Sequence, residues 1–542
     1  MIGNLNIADS LVILGYFLIT LLIVVFYFKD KDQKKSDYFL AGRNLGWFAI
    51  GMSLFSTNIS SEHIVGLAGA GASRGLAVGQ FEWLAIFILL LLGWFFAPIF
   101  LKTKVYTVPQ LFEMRFDHRS KTYLTYVSIL AYILTKMSIT IFAGGLLLRE
   151  VLGWDMFTSA VVMVLLTGLY TVTGGMHSVV RAQIFQGLVI ITGSGLLTIY
   201  GLSEVGGVSA LVDKLPADYF SLFKPMSDPD FPWTGIIFGA PIIAIWYWCT
   251  DQFMVQRIFA ARGIEDARRG TIFAAFLKIL PVFIFVVPGL IAVVLYPEVK
   301  GDAAFPFLVT SSLLPAGLKG LVVSALIAAL MSSLASVFHS TATLYTFDIY
   351  KPKHPEASDR KLVLVGRLVV TLTVIFAILW VPLIRIMSSS VYVYLQSIQA
   401  YIAPPIAAVF LMGFFWKKAN ANAAFTTLVS GGFLGLLRLT AEISTYNQFI
   451  DNAVLKYIAS INYLHFAILL FVFSTMVMAA VSLYTRKDQS FREKLDSYGV
   501  HVGVHILKQS GVTLNKLNVK KREIVMYGFL VVAAVAFWTI LA

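Results

Sequence analysis

The sequence predicts an all-α membrane protein, a single domain over residues 1–542 with about 14 transmembrane helices. Two observations carry this prediction. Of the 542 residues 58% are hydrophobic and only 13% charged, with a mean hydropathy of +0.80, a balance that soluble domains do not show. Apolar stretches of about 20 residues, enough to cross roughly 30 Å of hydrocarbon, recur along the chain between short polar connections. None of those connections is long enough to house a soluble domain.

The first span, 8–27, has neither a basic segment nor a small-residue cleavage site ahead of Lys29, so it reads as a retained extra N-terminal helix and not a signal peptide. The second, 45–72, is interrupted by LFSTNISSEHIVG, which places Ser56, Thr57, Asn58, Ser60, Ser61, Glu62 and His63 at membrane depth. Interhelical hydrogen bonding would explain Ser56, Thr57 or Ser60 taken singly. Seven polar residues in eight positions would turn some of them to lipid on a continuous helix, so a broken helix whose freed carbonyls line a cavity is the better account.

Spans follow at 77–101, with Glu82 inside it, and at 122–147, with Lys136, for which the sequence offers only pairing with some acidic neighbour. Next come 154–173 and 180–202, then a Pro/Asp-rich outer connection, 203–232. Span 233–256 ends in WYWCTDQFMVQ, and 270–296 contains Lys278. The remaining spans are 317–348, 362–384, 390–416 with Gln396 and Gln399, 421–441, 460–484 and 524–541, the last preceded by a basic loop at 485–523.

Lys and Arg set the orientation. With the N-terminus outside, thirty fall in cytoplasmic loops and nine in the opposite ones, so both termini are expected to be extracytoplasmic. The net charge of +13 is thereby explained without nucleic acid. The one cysteine, Cys249, cannot form an internal disulfide. Asn58-Ile59-Ser60 matches a glycosylation triplet at a depth that makes it a chance match, and the close glycines of GLAGAGASRG follow no strand, so helix packing explains them better than a nucleotide loop. No catalytic or metal-ligand spacing stands out, which disfavours an enzyme. The short outer loops point to a multi-pass protein of the plasma membrane, of the bacterial inner-membrane kind, surrounded by lipid and with no obligatory protein partner evident.

The polar residues at depth sort into two chemistries. Ala329, Ser332 and Ser333, in ALIAALMSSLASVFHSTAT, stand at i, i+3 and i+4, so a carbonyl and two hydroxyls share one helix face. Neutral oxygens suit Na+, a hard cation, and the broken helix would add the carbonyls of Ser56 and Ile59. Taken alone, small-residue packing explains adjacent serines better. The second chemistry is that of a polyol, whose ring of hydroxyls needs carboxylate, amide, imidazole and ammonium partners around an aromatic platform. Asn58, His63, Glu82, Lys278 and Gln396 supply the polar groups, and Phe81, Tyr247 and Trp248 the platform. Glu82 and Lys278 also read as a plain buried salt bridge.

The stretches NISSEH, FEWLA, IWYWCTDQFMVQR, AAFLK, LMSSLASVFHSTATLYTFDIY and YLQSIQAYIAPPIAAVFLMGFFWK resemble the sodium/sugar cotransporters of the solute:sodium symporter family, from Asp37 to Trp416. The resemblance implies a LeuT-type core of two inverted five-helix repeats with broken helices over 45–416, flanked by the extra N-terminal helix and C-terminal helices at 421–541. It implies sugar contacts at Asn58, His63, Glu82, Lys278 and Gln396, with Tyr247 as inner gate stacking on the ring and Trp248 beside it. The outer gate falls on Leu67, Phe81 and Tyr392. Sodium falls on the carbonyls of Ser56, Ile59 and Ala329 and the hydroxyls of Ser332 and Ser333.

Departures from the family pattern carry information. Gln183 stands where an aspartate tied to a second sodium is expected, and Ala335 where a further hydroxyl would be, so one sodium per sugar is expected. Ala244 replaces a polar sugar contact, which leaves glucose against galactose open. The implied activity is sodium-coupled symport of a hexose by alternating access. The alternatives are a sodium symporter for myo-inositol or another small solute, and a sugar-gated sensor or channel without net transport.

Overall fold

The computed structural model describes residues 5–26, 34–380, 391–446, 452–485, 526, 528–532 and 535–536. The basic loop expected beyond residue 485 lies outside the described residues, as does most of the last expected span. Among the described residues the chain is helical, with no strand. Eleven helical runs there are long and apolar enough to cross a membrane.

α1 (Ile7–Phe26) shows lipid an apolar face of Leu11, Leu14, Leu18 and Leu22. The interrupted span is two helices, α2 (Trp47–Asn58) and α3 (Ser61–Arg74), joined by extended residues Ile59 and Ser60. The expectation of a broken helix at NISSEH therefore holds. α4 (Gly79–Leu91) passes into a π-helical turn at Leu92–Phe96. α5 (His118–Ala131) and α6 (Ser138–Leu152) are likewise joined by a π turn, Tyr132–Met137. Such turns widen the backbone ladder and recur at functional sites.

The two spans expected at 154–202 run as one helical element, α7 (Met156–Val205), broken at Gly175 with φ 57 and ψ −152. Gly75, between α3 and α4, adopts nearly the same conformation with φ 71 and ψ −149. That region of backbone space is open essentially to glycine alone, and each glycine turns a run that would otherwise be far longer than a bilayer is thick.

α8 (Ala240–Ile245) ends in a π turn at Trp246–Thr250, and a single extended residue, Asp251, separates it from α9 (Gln252–Phe259). α10 (Ile264–Leu277) and α11 (Val287–Leu295) flank the Lys278–Pro281 region. α12 (Leu318–Leu344) is the core of the molecule, buried on all sides from Val322 to Leu344, and α7 packs along it. It has no cap of its own. Instead Asp9 of α1 accepts the backbone N–H groups of Gly317 and Gly320, both at 2.8 Å. Tyr16, two turns along α1, reaches Met331 Sδ at 3.6 Å, and Tyr170 donates to the Met331 carbonyl at 3.0 Å. α13 (Asp359–Trp380) faces lipid with Leu364, Leu368, Leu372 and Leu379, and α14 (Val391–Phe415), α15 (Ala421–Tyr446) and α16 (Tyr463–Tyr484) close the bundle.

Candidate functional site

The irregular places in these helices converge. Asn58 is the last residue of α2, and His63 lies in the first turn of α3, where Ser60 Oγ meets its Nδ1 at 3.0 Å. Lys278, at the end of α10, forms a buried ion pair with Glu82 in the first turn of α4, and its ammonium also donates to Asn58 Oδ1 at 2.7 Å. Asn58 Nδ2 donates in turn to Tyr247 Oη at 3.2 Å and sits 3.5 Å from His63 Nε2. The Tyr247 and Trp248 rings stand edge to face at 5.2 Å, and the Lys278 ammonium lies 5.8 Å from the Trp248 ring centre.

These groups line one cavity of about 50 Å³. Its wall contains every solute residue expected from the sequence: Asn58, His63, Phe81, Glu82, Tyr247, Trp248, Lys278 and Gln396. Gln399, Ala240, Ile243 and Ala244 complete much of the remainder. The plain salt-bridge reading of Glu82 and Lys278 is thus right as geometry and incomplete, because the pair faces the cavity. Opposite charges side by side leave the site near neutral, and their remaining lone pairs and protons point at whatever enters. Of the expected outer-gate residues, Phe81 is in the wall and meets Phe231 edge-on at 6.1 Å, whereas Leu67 is fully buried one turn beyond His63 and outside the wall. The Tyr392 side chain lies outside the described residues.

The oxygen set lies against the same break. Ser332 Oγ donates to the Ser56 carbonyl at 2.7 Å and to the Ala329 carbonyl at 2.9 Å, and Ser333 Oγ reaches the Thr57 carbonyl at 3.3 Å. Ile59 is fully buried in the extended turn that follows. Three of the five expected sodium oxygens therefore touch, and the Thr57 carbonyl is an addition to the expected set.

Next to this set, Gln183 forms a network. Its amide oxygen accepts from Ser53 Oγ at 2.5 Å, and its nitrogen reaches Thr57 Oγ1 at 3.0 Å, the Ser332 carbonyl at 3.0 Å and Ser336 Oγ at 2.8 Å. Arg257 closes the network on Ser53, Ser336 and the Phe253 carbonyl. Lys136, unassigned from sequence, is paired with Asp251. Nothing local in the sequence announces that pairing.

The model of the sodium:solute symporter family matches residues 38–431. The chain belongs to the sodium:solute symporter family. It is accordingly a multi-pass membrane transporter whose coupling ion is sodium. Sodium/glucose cotransporter 1 of Oryctolagus cuniculus is 37% identical over 526 residues, covering 89% of this chain and 79% of that one. Sodium/glucose cotransporter 2 of Rattus norvegicus is 38% identical with the same coverage, and the sodium/myo-inositol cotransporter of Canis lupus familiaris 37% identical over 89% of this chain and 74% of its own. Among solved structures, a Na+-coupled sialic acid symporter in a substrate-bound outward-open state matches with a TM-score of 0.76 at 24% identity, over 89% of this chain and 99% of the other. Mhp1, a nucleobase-cation-symport-1 family transporter in a closed conformation, matches with a TM-score of 0.55 at 13% identity, over 87% and 100%. At these identities the two structures bear on the fold alone, which is the LeuT-type core.

Proposed function

We propose that this symporter couples one sodium ion to the uptake of one hexose, of the glucose or galactose type, by alternating access across the plasma membrane. Asn58, His63, Glu82, Lys278 and Gln396 bind the sugar hydroxyls, Tyr247 stacks on the ring as inner gate with Trp248 beside it, and Leu67, Phe81 and Tyr392 form the outer gate. The carbonyls of Ser56, Ile59 and Ala329 and the hydroxyls of Ser332 and Ser333 hold sodium. Both termini face outward, as the charge bias requires.

One observation carries the reading: the two sites share a backbone segment. Ser56 and Thr57 offer their carbonyls to Ser332 and Ser333, while the next residue, Asn58, is bonded to Lys278 and Tyr247. An ion that fixes this segment against α12 also fixes Asn58, so sodium binding favours one arrangement of the sugar site; that differential is what coupling requires. A tenfold sodium gradient is worth about 1.4 kcal/mol, and 100 mV adds about 2.3 per charge, enough for a sugar gradient of a few hundredfold.

A polyol such as myo-inositol is the second reading. Its support is the identity of 37% to sodium/myo-inositol cotransporters, the same as to sodium/glucose cotransporter 1 of Oryctolagus cuniculus.

Uptake of labelled glucose, galactose and myo-inositol into proteoliposomes, with an imposed sodium gradient and a choline control, tests the proposal. Accumulation of a hexose only with sodium, at an ion-to-sugar flux ratio of one, is the expected result. Accumulation of myo-inositol alone moves the assignment to the second reading. Sodium-dependent binding without accumulation of any of the three means a sensor.

A further inference from the structure

The Lys136–Asp251 pair lies outside the wall of the solute cavity. Both residues are buried, and each occupies a helix irregularity: Lys136 the π turn Tyr132–Met137, Asp251 the single extended residue between the π turn carrying Tyr247 and α9. The Asp251 carboxylate also takes a hydrogen bond from Tyr132 Oη and accepts the Phe253 N–H at 3.1 Å, which caps α9. The Lys136 ammonium lies 3.8 Å from the Phe253 ring centre and 4.7 Å from that of Tyr247. It therefore sits behind the ring that closes the solute cavity.

A second, smaller cavity of about 10 Å³ has Lys136, Tyr247, Ser60 and Ser333 in its wall, as well as Asn58 and His63. Tyr247, Asn58, His63 and Gln399 are thus common to both cavities, and Lys136 lines only the smaller one. Along the chain Asp251 follows Tyr247 toward the loop of Arg257, Arg262, Arg268 and Arg269, the side that the charge bias assigns to the cytoplasm.

We propose that Lys136, Asp251 and Tyr132 form the inner latch of this transporter, holding the Tyr247 segment shut and parting when solute leaves toward the cytoplasm. The proposal rests on the reading of the chain as an alternating-access symporter. A buried ion pair suits the role, because its desolvation cost offsets much of its attraction, so closed and open states stay close in free energy. π turns and an extended residue on the two partners supply backbone that can yield.

The chain carries its own reporter. Cys249, the only cysteine in the sequence, is buried in the Tyr247 turn two residues before Asp251. Its rate of modification by a membrane-impermeant methanethiosulfonate in inside-out vesicles, without sodium, reads opening from the inner side. Removing one charge alone would strand the other, so the variant is the neutral pair Lys136→Asn with Asp251→Asn. Labelling at least about tenfold faster than the parent is expected, as for the loss of a charge-assisted bond. Tyr132→Phe keeps the ion pair and removes one hydrogen bond, and is expected to accelerate labelling about threefold. Cys249→Ser in each background gives the blank. An unchanged rate in the neutral pair overturns the proposal; if that variant does not reach the membrane, an unchanged rate in Tyr132→Phe does so. Labelling needs no solute, so failure to accumulate hexose would reject the proposed substrate and leave this result standing.

Discussion

Lys278 touches Glu82 and Asn58, and with them it fixes how much of the solute site can be changed singly. Glu82→Leu strands a buried ammonium and is expected to destabilise the protein by about 3–5 kcal/mol, whereas adding Lys278→Met to it restores stability without restoring sugar binding. Melting temperature in detergent and equilibrium sugar binding separate the two effects. The proposed ion and sugar functions also divide by residue. Ser333→Ala removes one oxygen and is expected to raise the sodium concentration for half-maximal uptake about tenfold. Gln396→Ala is expected to weaken sugar and leave sodium dependence near the parent value, as measured by sodium titration at saturating sugar. Equal losses of both in either variant would mean that the two sites are not separable. Gln183 is expected to matter through position: Gln183→Ala leaves Ser53, Thr57 and Ser336 without the amide that joins them, at a cost of about 1–3 kcal/mol, seen as weaker sodium binding.

At the scale of helices, the decisive features are the interruptions. NISSEH was legible as a break because polar groups at that density have no other use in hydrocarbon. The two π turns that place Lys136 and Tyr247 were not legible, since a π turn leaves the apolar pattern of its helix intact. The pairing of Lys136 with Asp251, 115 residues later, was hidden for a related reason: periodicity reports which face is buried and nothing about which distant residue it meets. The turn between the two halves of α7 was legible as a boundary between spans, but its mechanism is structural. At Gly175 a Cβ would press on the Tyr38 carbonyl and ring in a conformation closed to other residues. Gly175→Ala is therefore expected to cost at least about 2 kcal/mol and to lower the yield of folded protein in the membrane, while Gly195→Ala in the same element, whose Cβ meets nothing, serves as control.

Over the whole molecule, the polar residues that the sequence placed in spans are assembled around one centre, α12 and the α2–α3 break. Residue types in the site could be named from sequence because charge and amide groups at depth are rare and expensive. Their arrangement came only with the fold, which bonds Asn58 to Lys278 and Tyr247 right after the Thr57 carbonyl that meets Ser333 of α12. α1 takes on a different meaning in this light. Its Asp9 supplies the missing cap of α12, and Tyr16 braces Met331, the residue before the paired serines. α1 thus acts as a tether on α12, the helix proposed to hold sodium: Asp9→Ala frees two backbone donors at the N-terminal end of α12, and the expected result is slippage, with sugar moving down its own gradient while sodium no longer drags it uphill. Comparing uphill uptake with equilibrium exchange in the Asp9→Ala protein measures that slippage, and it makes a helix outside the transport core a determinant of thermodynamic efficiency.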